Sequence, residues 1–188
     1  IYACDIFDND YDALDDSERL VEIMRNVSAV YGSYAVFGNH DVTETLVGGF
    51  STASSTKAFR DPRMEAFLRQ AGINIMLDDV TTIADGKINL IGRLDGEKEG
   101  DGPRNRKDLS ALVKQCDMSK PVIVINHEPD KLHETAAMGV DVMLSGHTHA
   151  GQFFPLTIIQ PLAWENYWGI KKIANMYSCL LYTSDAAD

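Results

Sequence analysis

Short apolar runs alternate with stretches of helical periodicity along this chain. The runs IYA, YAVF, VIVI and VMLS are rich in β-branched and aromatic residues and too short for helices, so they read as buried strands. Between the first two, Leu20, Ile23, Met24 and Val27 recur at helical spacing behind the acidic pair Asp15 and Asp16, which suits a helix N-terminus. The spacing predicts a helix that buries one face made of those four residues. A second helix is predicted after Asp61 and Pro62, with Met64, Phe67, Leu68 and Ala71 on one side and Gly72 as its stop. Two more are predicted around Leu109 to Gln115 and Lys131 to Met138, the latter opened by Pro129 and closed by Gly139. Between TTIA and KINLIG, Asp85 and Gly86 predict a tight hairpin turn. The stretches Gly48 to Thr56 and Gly96 to Arg106 lack periodicity and read as loops, either solvated linkers or lids. Helices alternating with short strands make this an α/β protein with at least one hairpin.

Composition bounds what such a chain does. Its 188 residues, 45% apolar and 24% charged, suffice for one substantial core, so one domain is expected. A formal net charge of -11 argues against a general nucleic-acid or anionic-membrane surface, which needs Lys and Arg in excess. Cys4, Cys116 and Cys179 form no CxxC pair, so neither a disulfide framework nor a cysteine zinc site is indicated. The sequence has no apolar run of roughly 18 residues that would span a membrane. It starts at Ile1, directly on a strand-like run.

The chemistry collects behind the strands. After IYA come Asp5 and Asp8, after YAVF come Asn39, His40 and Asp41, after VIVI comes His127, and after VMLS come His147 and His149. In open α/β sheets, function gathers just beyond the carboxyl ends of strands. If the chain stays extended through GHTH, His147 and His149 face one side and Thr148 the other, as a metal would require. Each piece has a structural reading of its own: Asp5 as a helix cap, Asn39 as a turn residue, His127 as a ring bonded to backbone. Four such pieces at four strand ends are hard to obtain that way.

In order and spacing, CDIFD, GNHD, the histidine of NHEPD, and GHTH resemble the calcineurin-like metallophosphoesterases, whose pattern is DxH, GDxxD, GNHD or GNHE, a histidine-bearing strand end, and GHxH. The string GHTHAGQFFP is similar to a small bacterial phosphodiesterase branch, often preceded by a membrane segment. Two departures stand out: DxH is absent, and Cys4 replaces the glycine of the second motif. The resemblance implies a layered sandwich of mixed β-sheets flanked by helices. It also implies two divalent ions, with Mn, Fe, Zn or Co suiting mixed nitrogen and oxygen ligands. Asp5 would bridge them, Asn39, His127 and His147 would complete one site, and His149 would bind the other ion. His40 would serve the leaving-group oxygen as proton donor or charge stabiliser, oriented by Asp41, and Gly38 and Gly146 would let the chain pass close to the metals. Two ions about 3.5–4 Å apart can bind a phosphate and generate hydroxide from a shared water.

The implied activity is metal-dependent hydrolysis of a phosphoester, either a phosphodiester or a lipid-linked phosphate. The rivals are a non-catalytic interaction protein with a degraded site and a nuclease. Arg93 either reaches a substrate phosphate or pairs with Asp95. His133 reads as a surface residue. The aromatic segment Phe153 to Trp168 is either core and hairpin or an apolar lip for a lipid-like substrate. Residues 1–178 are expected to form the phosphoesterase domain, truncated at both ends, so membrane association would come only through a missing N-terminal segment. The tail CLLYTSDAAD, residues 179–188, is expected to be non-native, because codons that encode it resemble a transposase adapter.

Overall fold

The computed structural model describes residues 1–3, 5–7, 9–44, 46–47, 50–51, 59–98, 106–148 and 161–180. Cys4, Asp8, His149, most of both expected loops, residues 153–160 of the aromatic segment and residues 181–188 lie outside the described residues. In chain order the elements are β1 (Tyr2–Ala3), α1 (Ser17–Arg25), β2 (Ser33–Val36), β3 (Leu46–Val47), β4 (Phe50–Ser51), α2 (Pro62–Gln70), β5 (Ile73–Ile75), β6 (Asp79–Ile83), β7 (Ile88–Gly92), α3 (Leu109–Val113), β8 (Val122–Ile125), α4 (Leu132–Ala137), β9 (Val142–Ser145), β10 (Ile170–Ile173) and β11 (Met176–Leu180).

Two sheets pack face to face. The smaller is parallel throughout, in the order β1-β2-β5. The larger runs β10-β11-β9-β8-β7-β6, with β7, β8, β9 and β11 parallel and the two edge strands antiparallel. A strand buried on both faces shows consecutive apolar residues, because neighbours point to opposite sides. That is why YAVF, NLIG and VIVI read as continuous runs. Ala3, Val36, Leu90 and Ile125 meet with Met76 between the sheets. Ala35 and Phe37 point the other way, towards α1 and α2. Ile91 and Val124 pack under α3 and α4. The result is the expected mixed α/β sandwich with helices on both sides.

Helix α2 forms as its sequence dictates. The Asp61 side chain accepts from the Arg63 N–H at 2.8 Å, Pro62 opens the first turn, and Met64, Phe67, Leu68 and Ala71 are all buried. Gly72 ends the helix at φ +77, where a side chain would be strained. α3 and α4 are shorter than their periodicity predicts. The β6–β7 hairpin is also looser than a two-residue turn: Ala84, Asp85 and Gly86 all have positive φ, and the Lys87 N–H returns to the Ile83 carbonyl at 3.1 Å. β11 runs on through Cys179 and Leu180, which pair with Leu144 and Ser145 of β9.

α1 departs from its predicted face. Leu20, Ile23 and Val27 are 38%, 53% and 54% exposed, whereas Val21 is buried and Met24 packs beside it. The Asp16 cap, which accepts from the Arg19 N–H at 3.0 Å, starts the helix, and Asn26 ends it before Val27. Those nine residues lean on α2 along the Ser17–Val21–Met24 line. Ile23→Ala should therefore change stability by less than about 0.5 kcal/mol, and Val21→Ala should cost about 1–3 kcal/mol. Urea unfolding of both variants checks this, and the reverse ranking would restore the predicted face.

Candidate functional site

The carboxyl ends of β1 and β2 in one sheet and of β7, β8 and β9 in the other meet at one edge of the sandwich, and four donor side chains converge there. His127, 1% exposed, follows β8 and places Nδ1 3.2 Å from the Ala3 carbonyl across the two sheets. A carbonyl only accepts, so Nδ1 carries the proton and Nε2 faces the site. Around Nε2 lie Asn39 Oδ1 at 3.0 Å, His147 Nδ1 at 3.2 Å and Asp5 Oδ2 at 3.3 Å. His147 Nδ1 is also 3.2 Å from Asn39 Oδ1.

Four electron-pair donors this close repel one another unless a cation or a proton sits among them. Burial disfavours the His127 imidazolium, but the hydrogen bond and charge of Asp5, with Asp95 and Asp41 beyond, push the group up to about 9. Burial likewise opposes ionisation of Asp5, yet His127, the His40 amide and the His40 ring hold its carboxyl below the usual range. Two imidazoles, a carboxylate and an amide oxygen suit a divalent transition metal. Among the described residues no three His, Cys, Asp or Glu side chains make a cation site by themselves. Here the fourth donor is an amide, and His149 lies outside the described residues.

Backbone geometry brings these groups together. A Cβ on Gly38 would stand 2.1 Å from Asp5 Oδ1 and 2.6 Å from His127 Cε1, so only glycine passes there. Asp41, fully buried, spends its carboxylate on amides: Oδ1 accepts from Ile6 at 2.7 Å and Phe7 at 2.8 Å, and Oδ2 from Gly38 at 2.7 Å. Burial and then the Asp5 charge push this carboxyl up to about 7, against the pull of those three donors. Asp41 thus does not orient His40. Asn9 takes that place, with Nδ2 2.9 Å from His40 Nδ1 and its own N–H on the His40 carbonyl at 2.9 Å. Asn9 sits at φ +58, a conformation asparagine tolerates better than most residues.

The extended reading of GHTH also gives way. His147 has φ +74 and sits in a tight turn closed by the Thr148 N–H on the Gly146 carbonyl at 3.0 Å. Thr148 is buried and donates to the Tyr167 carbonyl at 2.9 Å. Simple alternation therefore does not place His147. Its ring meets His127 edge-on at 5.0 Å and Trp164 at 5.2 Å between centroids.

Arg93 pairs with Asp78 at 3.1 Å, not with Asp95, and donates to the Lys107 carbonyl at 2.8 Å. It lines a cavity of about 320 Å³ with Arg106, Asn126 and Lys131 that none of the four converging donor side chains lines. His133, as expected, is at the surface, bridged to Glu165 at 3.1 Å. A fifth strand end, after β7, adds residues that the sequence reading missed. Asp95 Oδ1 accepts from the Glu97 and Lys98 amides at 2.9 and 2.7 Å, and Lys98 is ion-paired with Glu44. Glu97 Oε2 accepts from Asn39 Nδ2 at 3.4 Å, which turns the Asn39 oxygen towards the donor cluster. The acidic GEKE string after KINLIG was the available signal.

A family model described as calcineurin-like phosphoesterase matches residues 2–151. The chain is 30% identical over 158 residues to a metallophosphoesterase of Aquifex aeolicus, covering 84% of this chain and 54% of that protein. It is 28% identical over 153 residues to one of Helicobacter pylori, covering 79% and 36%. With the UDP-2,3-diacylglucosamine pyrophosphatase LpxG of Chlamydia trachomatis it shares 25% identity over 168 residues, covering 72% and 49%. The chain thus spans between about a third and about a half of the length of these relatives.

The Asp41 clamp predicts a stability effect. Asparagine offers one acceptor oxygen and an N–H₂ that would face the Gly38 N–H, leaving a buried donor unpaired. Asp41→Asn should lower unfolding free energy by roughly 1–3 kcal/mol. Chemical denaturation measures this, and a melt unchanged from wild type would mean the three amide bonds contribute nothing.

Proposed function

The chain belongs to the calcineurin-like phosphoesterase family, and from that premise we propose that it hydrolyses a phosphoester at the cluster of Asp5, Asn39, His127 and His147. One observation carries the reading: the His127 ring is tied by Nδ1 to the Ala3 carbonyl, so its Nε2 is turned to the site, within 3.3 Å of three other donor atoms. Metallophosphoesterases generally use a dinuclear divalent-metal centre. In this reading the four residues hold one ion, and Asp5 and His149 contribute to the second. Mn, Fe, Zn and Co suit the donor set. When bound, such ions supply Lewis acidity and a nucleophile at neutral pH.

The chain's own groups do the rest. Glu97 keeps the Asn39 amide turned with its oxygen inward. Asp41 fixes the Asp5 loop against the Gly38 turn through backbone amides, and Asp5 Oδ1 accepts from the His40 amide. Asn9 engages His40 at Nδ1 and leaves Nε2 for the leaving-group oxygen, where it donates a hydrogen bond or a proton. The substrate class is a phosphodiester or a lipid-linked phosphate, and the similarity to a pyrophosphatase named for a diacylated nucleotide sugar supports the second.

The test uses the full-length protein, a generic phosphodiester and added Mn, with a chelator as control. His40→Ala should lower kcat by about 10²–10⁴-fold while bound metal, measured by elemental analysis, stays at the wild-type level. Loss of metal together with activity would move His40 out of the leaving-group role.

A further inference from the structure

We propose that a groove between the start of α4 and the segment Ala163–Glu165 seats the alkyl or acyl part of the substrate, with Trp164 as its specificity-determining wall. The inference rests on the phosphoesterase reading and names which part of a lipid-linked substrate goes where. The groove encloses about 360 Å³ and is lined by Pro129, Leu132, Ala163 and Trp164 on its apolar side. It adjoins the donor cluster through Trp164. Trp164 meets the His147 ring edge-on, 5.2 Å between centroids, and Pro129 follows His127 by two residues. A phosphate held at the cluster therefore projects its substituent along the indole.

Charge decides what that substituent is. Lys131 shares this lining with three carboxylates, Asp130, Glu134 and Glu165, and His133 is already engaged by Glu165 at 3.1 Å. A second phosphate or another anion gains nothing there, whereas an uncharged chain loses only water. On the same segment as Trp164, Leu162 is 86% exposed and Trp168 63% exposed. Large apolar side chains left in water beside a site mark a binding surface, and tryptophan suits one that is part apolar and part wet.

The experiment is equilibrium binding, independent of turnover. Inorganic phosphate and a series of n-alkyl phosphates, kept below their micelle concentrations, are titrated into the Mn-loaded protein by calorimetry. Affinity should rise roughly threefold to fourfold per added methylene until the groove is filled. Trp164→Ala should flatten that dependence, and Trp164→Phe should keep most of it. Affinity that does not grow with chain length, or growth that survives in Trp164→Ala, overturns the groove. Lack of hydrolysis with the chain-length dependence intact would instead count against the catalytic reading alone.

Discussion

The hydrogen bond from His127 Nδ1 to the Ala3 carbonyl, 3.2 Å long, ties the carboxyl end of β8 in one sheet to the end of β1 in the other. It is the contact on which the site depends, because it sets two things at once. It fixes the ring's tautomer, so that Nε2 must face Asp5, Asn39 and His147. It also fixes the distance between the two sheets at the edge where those residues emerge. The apolar contact of Ala3, Val36, Leu90 and Ile125 just behind it holds the sheets at that spacing. Had a larger side chain replaced Ala3, the carbonyl would stand off from the imidazole and the four donors would part.

Around that contact the fold accepts unfavourable local choices. His147 and Asn9 adopt positive φ, a conformation that costs of order 1–3 kcal/mol in a non-glycine residue. Asp41 is fully buried, and that burial together with the nearby Asp5 charge raises its pKa. Each choice places a donor that a relaxed chain would place elsewhere: the His147 turn aims Nδ1 inward, Asn9 holds the His40 ring, and Asp41 draws Ile6, Phe7 and Gly38 together. The clusters of apolar residues on both sides of the sandwich offset these local costs. Gly38 is the complementary device, a backbone stretch made bare so that Asp5 and His127 can close over it.

Much of this was legible in the residues. Period-two burial made YAVF and VIVI readable as strands covered on both faces, and the α2 stripe with its Asp61 cap and Gly72 stop left no ambiguity. The strand-end rule brings Asp5, Asn39, His127 and His147 to one edge from the sequence alone. What escaped depends on tertiary partners or on single dihedral angles. The exposed side of α1 is as apolar as its buried side, so periodicity alone chose the wrong face. His147 broke the alternation argument through one positive φ. Asp41 and Arg93 each found partners that proximity in sequence does not suggest: the Ile6 and Phe7 amides, beside that of nearby Gly38, for one, and Asp78 for the other. Glu97 and Asn9 act through side chains they support, and although the acidic GEKE string marked the first of them, nothing in the sequence paired Glu97 with Asn39 or Asn9 with His40.

If the four converging side chains form a cation site, a transition metal binds among them. Crystals grown with zinc, with data collected on both sides of its absorption edge, test it directly. An anomalous peak is expected at about 2.0–2.2 Å from Asp5, Asn39, His127 Nε2 and His147 Nδ1. No peak there, or a zinc ion held by other residues while His127 Nε2 stays bonded only to Asn39 and Asp5, would contradict it.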